Sequence, residues 1–100
     1  MALHRVPLTV FGVGDRAVVM VDGRDLVLFR VGGAVYAFAN ACPHQGNPLA
    51  DGEVRGHRLR CVYHLWEFDL ETGACLVGEA AATTHPARVE GNEVVIEVRP

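Results

Sequence analysis

Lysine is absent from this chain: all nine of its cations are arginine, set against twelve acids for a formal charge of −3. An acidic chain without a basic cluster is a poor binder of polyphosphate backbones, so nucleic acid is excluded as a partner. Cysteine is scarce and odd in number, at three. A disulfide framework would leave one thiol over, and the pattern suits a reducing compartment. No apolar run approaches the roughly 20 residues that a membrane-spanning helix requires. The opening stretch Met1-Ala2-Leu3-His4-Arg5-Val6-Pro7 lacks the continuous apolar core of a secretion signal. The expectation is a cytoplasmic protein with no membrane partner. No stretch carries a convincing amphipathic helical period, and no repeat or low-complexity tract interrupts the chain.

What is present is β-pattern and turn. With 100 residues, half of them apolar, the chain has the size of one domain. Arg5–Val10 reads as a short strand, placed at a sheet edge by Pro7. Ala17–Val21 is β-branched and ends at Asp22-Gly23, a turn signal. Asp25–Val31 and Ala34–Ala39 are joined by Gly32-Gly33, a tight hairpin. Asn47–Glu53 is turn-rich. Arg58–Arg60 and Leu65–Leu70 alternate, Thr72-Gly73 turns, and Ala74–Val77 follows as a further run. Gly78–Thr84 reads as a loop. Gly91-Asn92 between Arg88–Glu90 and Glu93–Val98 predicts the last hairpin. Many short strands with frequent turns define an all-β antiparallel sandwich or barrel.

Two short arms stand out against this background. The first is Cys42-Pro43-His44-Gln45-Gly46 and the second Cys61-Val62-Tyr63-His64, with sixteen residues between His44 and Cys61. Each arm supplies one thiol and one imidazole, both metal ligands once deprotonated. A Cys₂His₂ zinc site is one reading. Zinc arms usually pair like with like, whereas these mix the two donors. That suits a two-iron cluster with both thiolates on one iron and both imidazoles on the other.

At these residues the chain resembles the Rieske ferredoxin family. The likeness runs from Asn40 through Leu65-Trp66-Glu67-Phe68-Asp69-Leu70-Glu71-Thr72-Gly73, with a weaker echo at His85-Pro86-Ala87-Arg88-Val89. The resemblance implies a single domain over residues 1–100, with a small cluster-binding subdomain of two hairpin loops at about 40–69 and a base domain around it. It implies a Rieske-type 2Fe-2S cluster held by Cys42, His44, Cys61 and His64, the cysteines on the buried iron and the histidines on the solvent-side iron. The implied function is one-electron transfer without catalysis. Electrons would pass from an NAD(P)H-dependent flavin reductase to a terminal oxygenase, either a ring-hydroxylating dioxygenase or a diiron monooxygenase. A monomer is expected. The alternatives are a Rieske-like small subunit of a redox enzyme such as assimilatory nitrite reductase and, in another class, a zinc-stabilised interaction module.

The high-potential members carry an extra cysteine in each arm, where this chain has Asn47 and Tyr63. They also use Ser and Tyr hydroxyls where this chain has Trp66 and Phe68. Fewer hydrogen bonds to sulfur imply a low potential. His4, His57 and His85 lack ligand spacing and read as ordinary surface or loop residues. Cys75 reads as a small buried apolar residue. Trp66 divides between core and docking anchor. Glu67, Asp69, Glu71 and Glu79 read first as solvated strand and turn residues and second as an acidic rim; Asp51 and Glu53 are read the same way.

Overall fold

The computed structural model describes residues 2–43, 46–61, 66–76 and 81–98. The strands are β1 (Ala2–Pro7), β2 (Arg16–Val21), β3 (Arg24–Val31), β4 (Ala34–Ala39), β5 (Glu53–Arg55), β6 (Arg58–Arg60), β7 (Glu67–Asp69), β8 (Thr84–His85), β9 (Ala87–Glu90) and β10 (Glu93–Val98). They form three antiparallel sheets, ordered β1-β10-β9, β2-β3-β4-β8 and β5-β6-β7. Among the described residues no helix is long and apolar enough to cross a membrane.

The four-stranded sheet lies between two apolar clusters, and β3 shows why. Leu26 and Leu28 join Val94, Ile96 and Val98 in the first cluster. Their neighbours Val27 and Phe29 turn the other way, into a second cluster with Leu49, Leu59, Phe68 and Leu70. Successive strand residues face opposite sides, so a strand covered on both faces needs an unbroken apolar run. Leu26-Val27-Leu28-Phe29 supplies that run and is almost wholly buried. Each such side chain contributes roughly 1.5–3 kcal/mol by leaving water. Phe29 and Phe38 meet edge to face at 5.9 Å, a favoured aromatic geometry.

The turns follow the sequence signals closely. Val21 pairs with Arg24, leaving Asp22 and Gly23 as a two-residue loop with φ of 53° and 75°. Two positive φ values define the type I′ turn that matches strand twist. The hairpins at Gly32-Gly33 and Gly91-Asn92 close with the registers Val31↔Ala34 and Glu90↔Glu93.

Several expectations need correction. The strand expected at Arg5–Val10 ends at Pro7, and Leu8–Phe11 forms a 3₁₀ turn. The partner strand begins at Glu93, opposite Pro7; the Leu8 N–H makes one last bond to the Asn92 carbonyl, the ladder stops there, and Phe11 drops into the first cluster. Pro7 does lie on an edge strand. Glu53, read as the end of a turn-rich stretch, opens the strand Glu53–Arg55; Val54 alone points inward, too little periodicity to register. Thr84, the last residue of the expected loop, and His85 pair with Phe38 and Ala37. Ala74 and Cys75 make only isolated bridges, to Ala81 and Phe68; Val77–Ala80 fall outside the described residues. His85 is not a surface residue: it is 4% exposed, because its strand tucks against β4. His4 lies half-buried on β1, its Nε2 enclosed and without a hydrogen-bond partner among the described residues. His57 is exposed, its ring edge-on to Tyr36 at 6.5 Å.

Candidate metal centre

The first arm leaves the end of β4. Asn40 anchors that departure at three points. Its N–H donates to the Asp25 carbonyl at 2.9 Å, and its side-chain amide donates to Asp25 Oδ2 at 3.3 Å. Its Oδ1 accepts from the Ala50 N–H at 2.8 Å, so the arm's return is tied to its start. Two residues on, the Cys42 N–H donates to the Asn47 carbonyl at 2.7 Å, and the Cys42 carbonyl accepts from Gly46 at 2.7 Å. Gly46 sits at φ 75°, a conformation open to glycine at little cost.

The second arm leaves β6 and is closed in the same way. The Cys61 N–H donates to the Trp66 carbonyl at 2.7 Å, and β7 starts at the next residue. In both arms the cysteine amide bonds the carbonyl five residues ahead. Both cysteines are 1% exposed, lie in the second apolar cluster and take part in no disulfide. Of the four expected ligands, the structure therefore brings Cys42 and Cys61 into one cluster; His44 and His64 lie outside the described residues. Two buried thiols on matching loops are a donor set that fits the sulfur-ligated side of a two-iron cluster.

Two features that the sequence reading missed fix the return of the first arm. Arg16 on β2 reaches across the sheet, donating from Nη1 to the carbonyls of Ala50 (2.9 Å) and Gly52. Its guanidinium lies 5.2 Å from the Phe29 ring centroid and pairs with Asp15 at 3.0 Å. The second feature is Gly52, where a Cβ would stand 2.8 Å from the Arg60 carbonyl and 2.9 Å from that of Leu49. The return of the first arm is thus pressed against the residue preceding Cys61. A lone glycine in a turn-rich stretch hinted at close approach; nothing local marked Arg16.

The flanking acids are locally engaged. Glu67 pairs with Arg58 at 3.7 Å and Glu53 with Arg55 at 2.6 Å. Glu71 and Asp51 are exposed, and Glu79 lies outside the described residues. Asp69 is a turn-former: its Oδ1 accepts the N–H groups of Glu71 (2.8 Å) and Thr72 (3.0 Å). The Thr72 amide bond, helped by that of Glu71, holds the Asp69 carboxyl below the ordinary range. A lowered native value means that the ionised form stabilises the fold. The contribution is complete above the ordinary Asp value, near about 3.9, and disappears as pH falls through the depressed one. Asp69→Asn is therefore expected to lower the melting temperature at neutral pH and to flatten its acid limb below about pH 4, as thermal scans across pH would record. Trp66 and Cys75 are half-buried and pack against the second cluster.

A small all-β domain with two matched loops, each presenting a buried thiol, defines the class: a metal-binding domain whose donors come from a pair of closed loops. The Rieske [2Fe-2S] domain model matches residues 8–96, and the chain belongs to that family, as a Rieske-type ferredoxin with a 2Fe-2S cluster as cofactor. This decides against zinc. The ferredoxin component of the naphthalene 1,2-dioxygenase system of Pseudomonas aeruginosa is 33% identical over 100 residues, covering 98% of this chain and 91% of the relative. The 3-phenylpropionate/cinnamic acid dioxygenase ferredoxin subunit of Shigella boydii serotype 4 is 33% identical over 76 residues, 73% of this chain and 72% of its own length. Among solved structures, the ferredoxin of carbazole 1,9a-dioxygenase from Nocardioides aromaticivorans IC177 superposes with a TM-score of 0.85 at 26% identity, covering 99% of this chain and 100% of that one.

Proposed function

We propose that this chain is a one-electron carrier that holds its cluster through Cys42, His44, Cys61 and His64, taking electrons from an NAD(P)H-dependent flavin reductase and passing them to a terminal oxygenase in the cytoplasm. The observation that carries the reading is the pair of buried, equivalently closed cysteine loops, each with a histidine shortly after its thiol. Residues 40–69 are the cluster-binding subdomain and the rest is the base. Cys42 and Cys61 would hold one iron and His44 and His64 the other. Bound there, the cluster supplies a reversible one-electron couple, raised above that of all-cysteine clusters because neutral imidazoles replace two charged ligands.

The protein's own residues do the rest. Leu49, Leu59, Phe68 and Leu70 surround the cysteines and keep water from the thiolate side. Asn40 and the Arg16 bridge tie the return of the first arm to β3 and β2, and the close approach of Gly52 to Arg60 sets it against the strand that leads into the second. Trp66 and Phe68 bring no hydroxyl to the sulfurs, which leaves the more negative reduced state without that stabilisation. The midpoint potential is expected toward the low end of the Rieske range of roughly −150 to +300 mV. A redox titration followed by the rhombic spectrum of the reduced state measures it, and a value at the upper end would contradict the assignment. Mixing the protein with a flavin reductase and NADH should reduce it in a single one-electron step, and adding a cognate oxygenase with its substrate should reoxidise it.

A further inference from the structure

Arg60 stands directly before Cys61, and its charge is handled differently from those around it. Leu59 and Cys61, its neighbours in the chain, are both buried in the second apolar cluster. Strand alternation therefore turns Arg60 to the outer face of the β5-β6-β7 sheet. Its cross-strand neighbours there are Glu53 and Glu67. Neither acid serves it: Glu53 pairs with Arg55 at 2.6 Å and Glu67 with Arg58 at 3.7 Å. Arg60 is half-buried, and its Nε is enclosed with no hydrogen-bond partner among the described residues. No described acid forms an ion pair with it.

An enclosed donor without an acceptor is costly to a fold and calls for a reason. A cation without a counter-charge also keeps the reach of its field. Chain connectivity bounds the distance that the field must cover. Consecutive Cα atoms lie about 3.8 Å apart, and standard bond lengths put a guanidinium carbon at most roughly 7 Å from its own Cα. Whatever its rotamer, the Arg60 charge is thus within about 11 Å of the Cys61 Cα. Partial burial keeps salt from screening it as fully as a surface charge.

We propose that Arg60 tunes the redox potential: its uncompensated positive charge favours the reduced cluster and raises the midpoint. The inference rests on Cys61 ligating the cluster, as proposed above. Reduction brings in one electron, supplied by the reductase, so the centre becomes more negative by one charge. A fixed cation beside Cys61 stabilises that state over the oxidised one. At an effective dielectric of about 20, a unit charge roughly 12 Å away shifts the equilibrium about tenfold. Solvent at the exposed part of the side chain reduces this, so the effect is about three- to tenfold. Its direction opposes that of Trp66 and Phe68, whose lack of hydroxyls lowers the potential. Arg60 offsets part of that fall.

The test is a redox titration of the metal-loaded full chain, with iron and sulfide assayed in every sample. Arg60→Gln should lower the reduction equilibrium constant about three- to tenfold, each tenfold being about 59 mV for one electron. Arg60→Lys keeps the charge without the guanidinium and should stay within about twofold of the native chain. Glu67→Gln removes the acid opposite Arg60 and should move the constant the other way by a similar factor. Arg5→Gln makes the same change in net charge on β1, in the sheet that carries neither cysteine loop, and should shift it less than about twofold. A loaded Arg60→Gln with the native potential would overturn the proposal. So would an Arg60→Lys as low as Arg60→Gln, a Glu67→Gln that does not rise, or an Arg5→Gln that falls as far. A native chain that binds neither iron nor sulfide would overturn the ligand assignment and this inference with it, which keeps the two failures apart.

Discussion

Cys42→Ser and Cys61→Ser should each yield a colourless protein with neither bound iron nor inorganic sulfide, whereas Cys75→Ser should keep both. The three thiols differ by position. Cys42 and Cys61 are buried at the closed bases of matching loops, while Cys75 is half-buried beside the turn that follows β7. Serine is a hard, weakly acidic ligand and a poor substitute for thiolate on iron. Loss of the cluster also removes a clip across a segment of about 20 residues, worth about 3 kcal/mol in chain entropy on the model used for disulfides. For a domain this size that is a fall in melting temperature of roughly 10–25 °C. Metal and sulfide assays with a thermal scan would decide it. Retained sulfide in Cys61→Ser would remove that residue from the proposed ligand set.

The second large effect is expected from a glycine outside both cysteine loops. Gly73→Ala should destabilise the chain by about 3 kcal/mol, combining left-handed strain with forced repacking. Gly73 has φ 77°, and a Cβ there would lie 2.5 Å from the Ala82 carbonyl and 2.8 Å from Thr84 Cγ2. Its N–H donates to the Asp69 carbonyl, and its own carbonyl accepts from the Ala82 N–H, both at 2.8 Å. It thus joins the turn after β7 to the segment that leads into β8, so a side chain would push apart the base sheet and the loop-bearing sheet. Gly33→Ala is the control. No atom lies within 4 Å of a Cβ there and its φ is not left-handed, so stability should change by less than about 0.5 kcal/mol. Denaturant unfolding of both variants separates the cases; equal midpoints would refute the steric argument.

Much of this protein was legible in one dimension. Side-chain alternation, β-branched runs and turn pairs such as Asp22-Gly23 are local properties, and they placed β2, β3, β4, β6, β7, β9 and β10 within a residue or two. The paired arms were legible too, because ligand chemistry imposes residue type and spacing directly on the chain. Cys42 and Cys61 lie buried in one cluster; the ligand roles proposed for them, as for His44 and His64, rest on spacing and family likeness.

What only the tertiary structure decided has a common cause: contacts between residues distant in sequence leave no periodic trace. Arg16 reaches carbonyls 34 and 36 residues away, and nothing beside it in the chain announces that reach. His85 looked like a loop residue until β8 was seen to pair with β4. Leu26-Val27-Leu28-Phe29 revealed a buried strand, but its two covering layers became visible only with all three sheets assembled. The exposure of Val18 and Met20 on the edge strand β2 belongs to the same kind of fact. Val18 and Met20 have the composition of core residues, and exposure is a property of where the other strands stop.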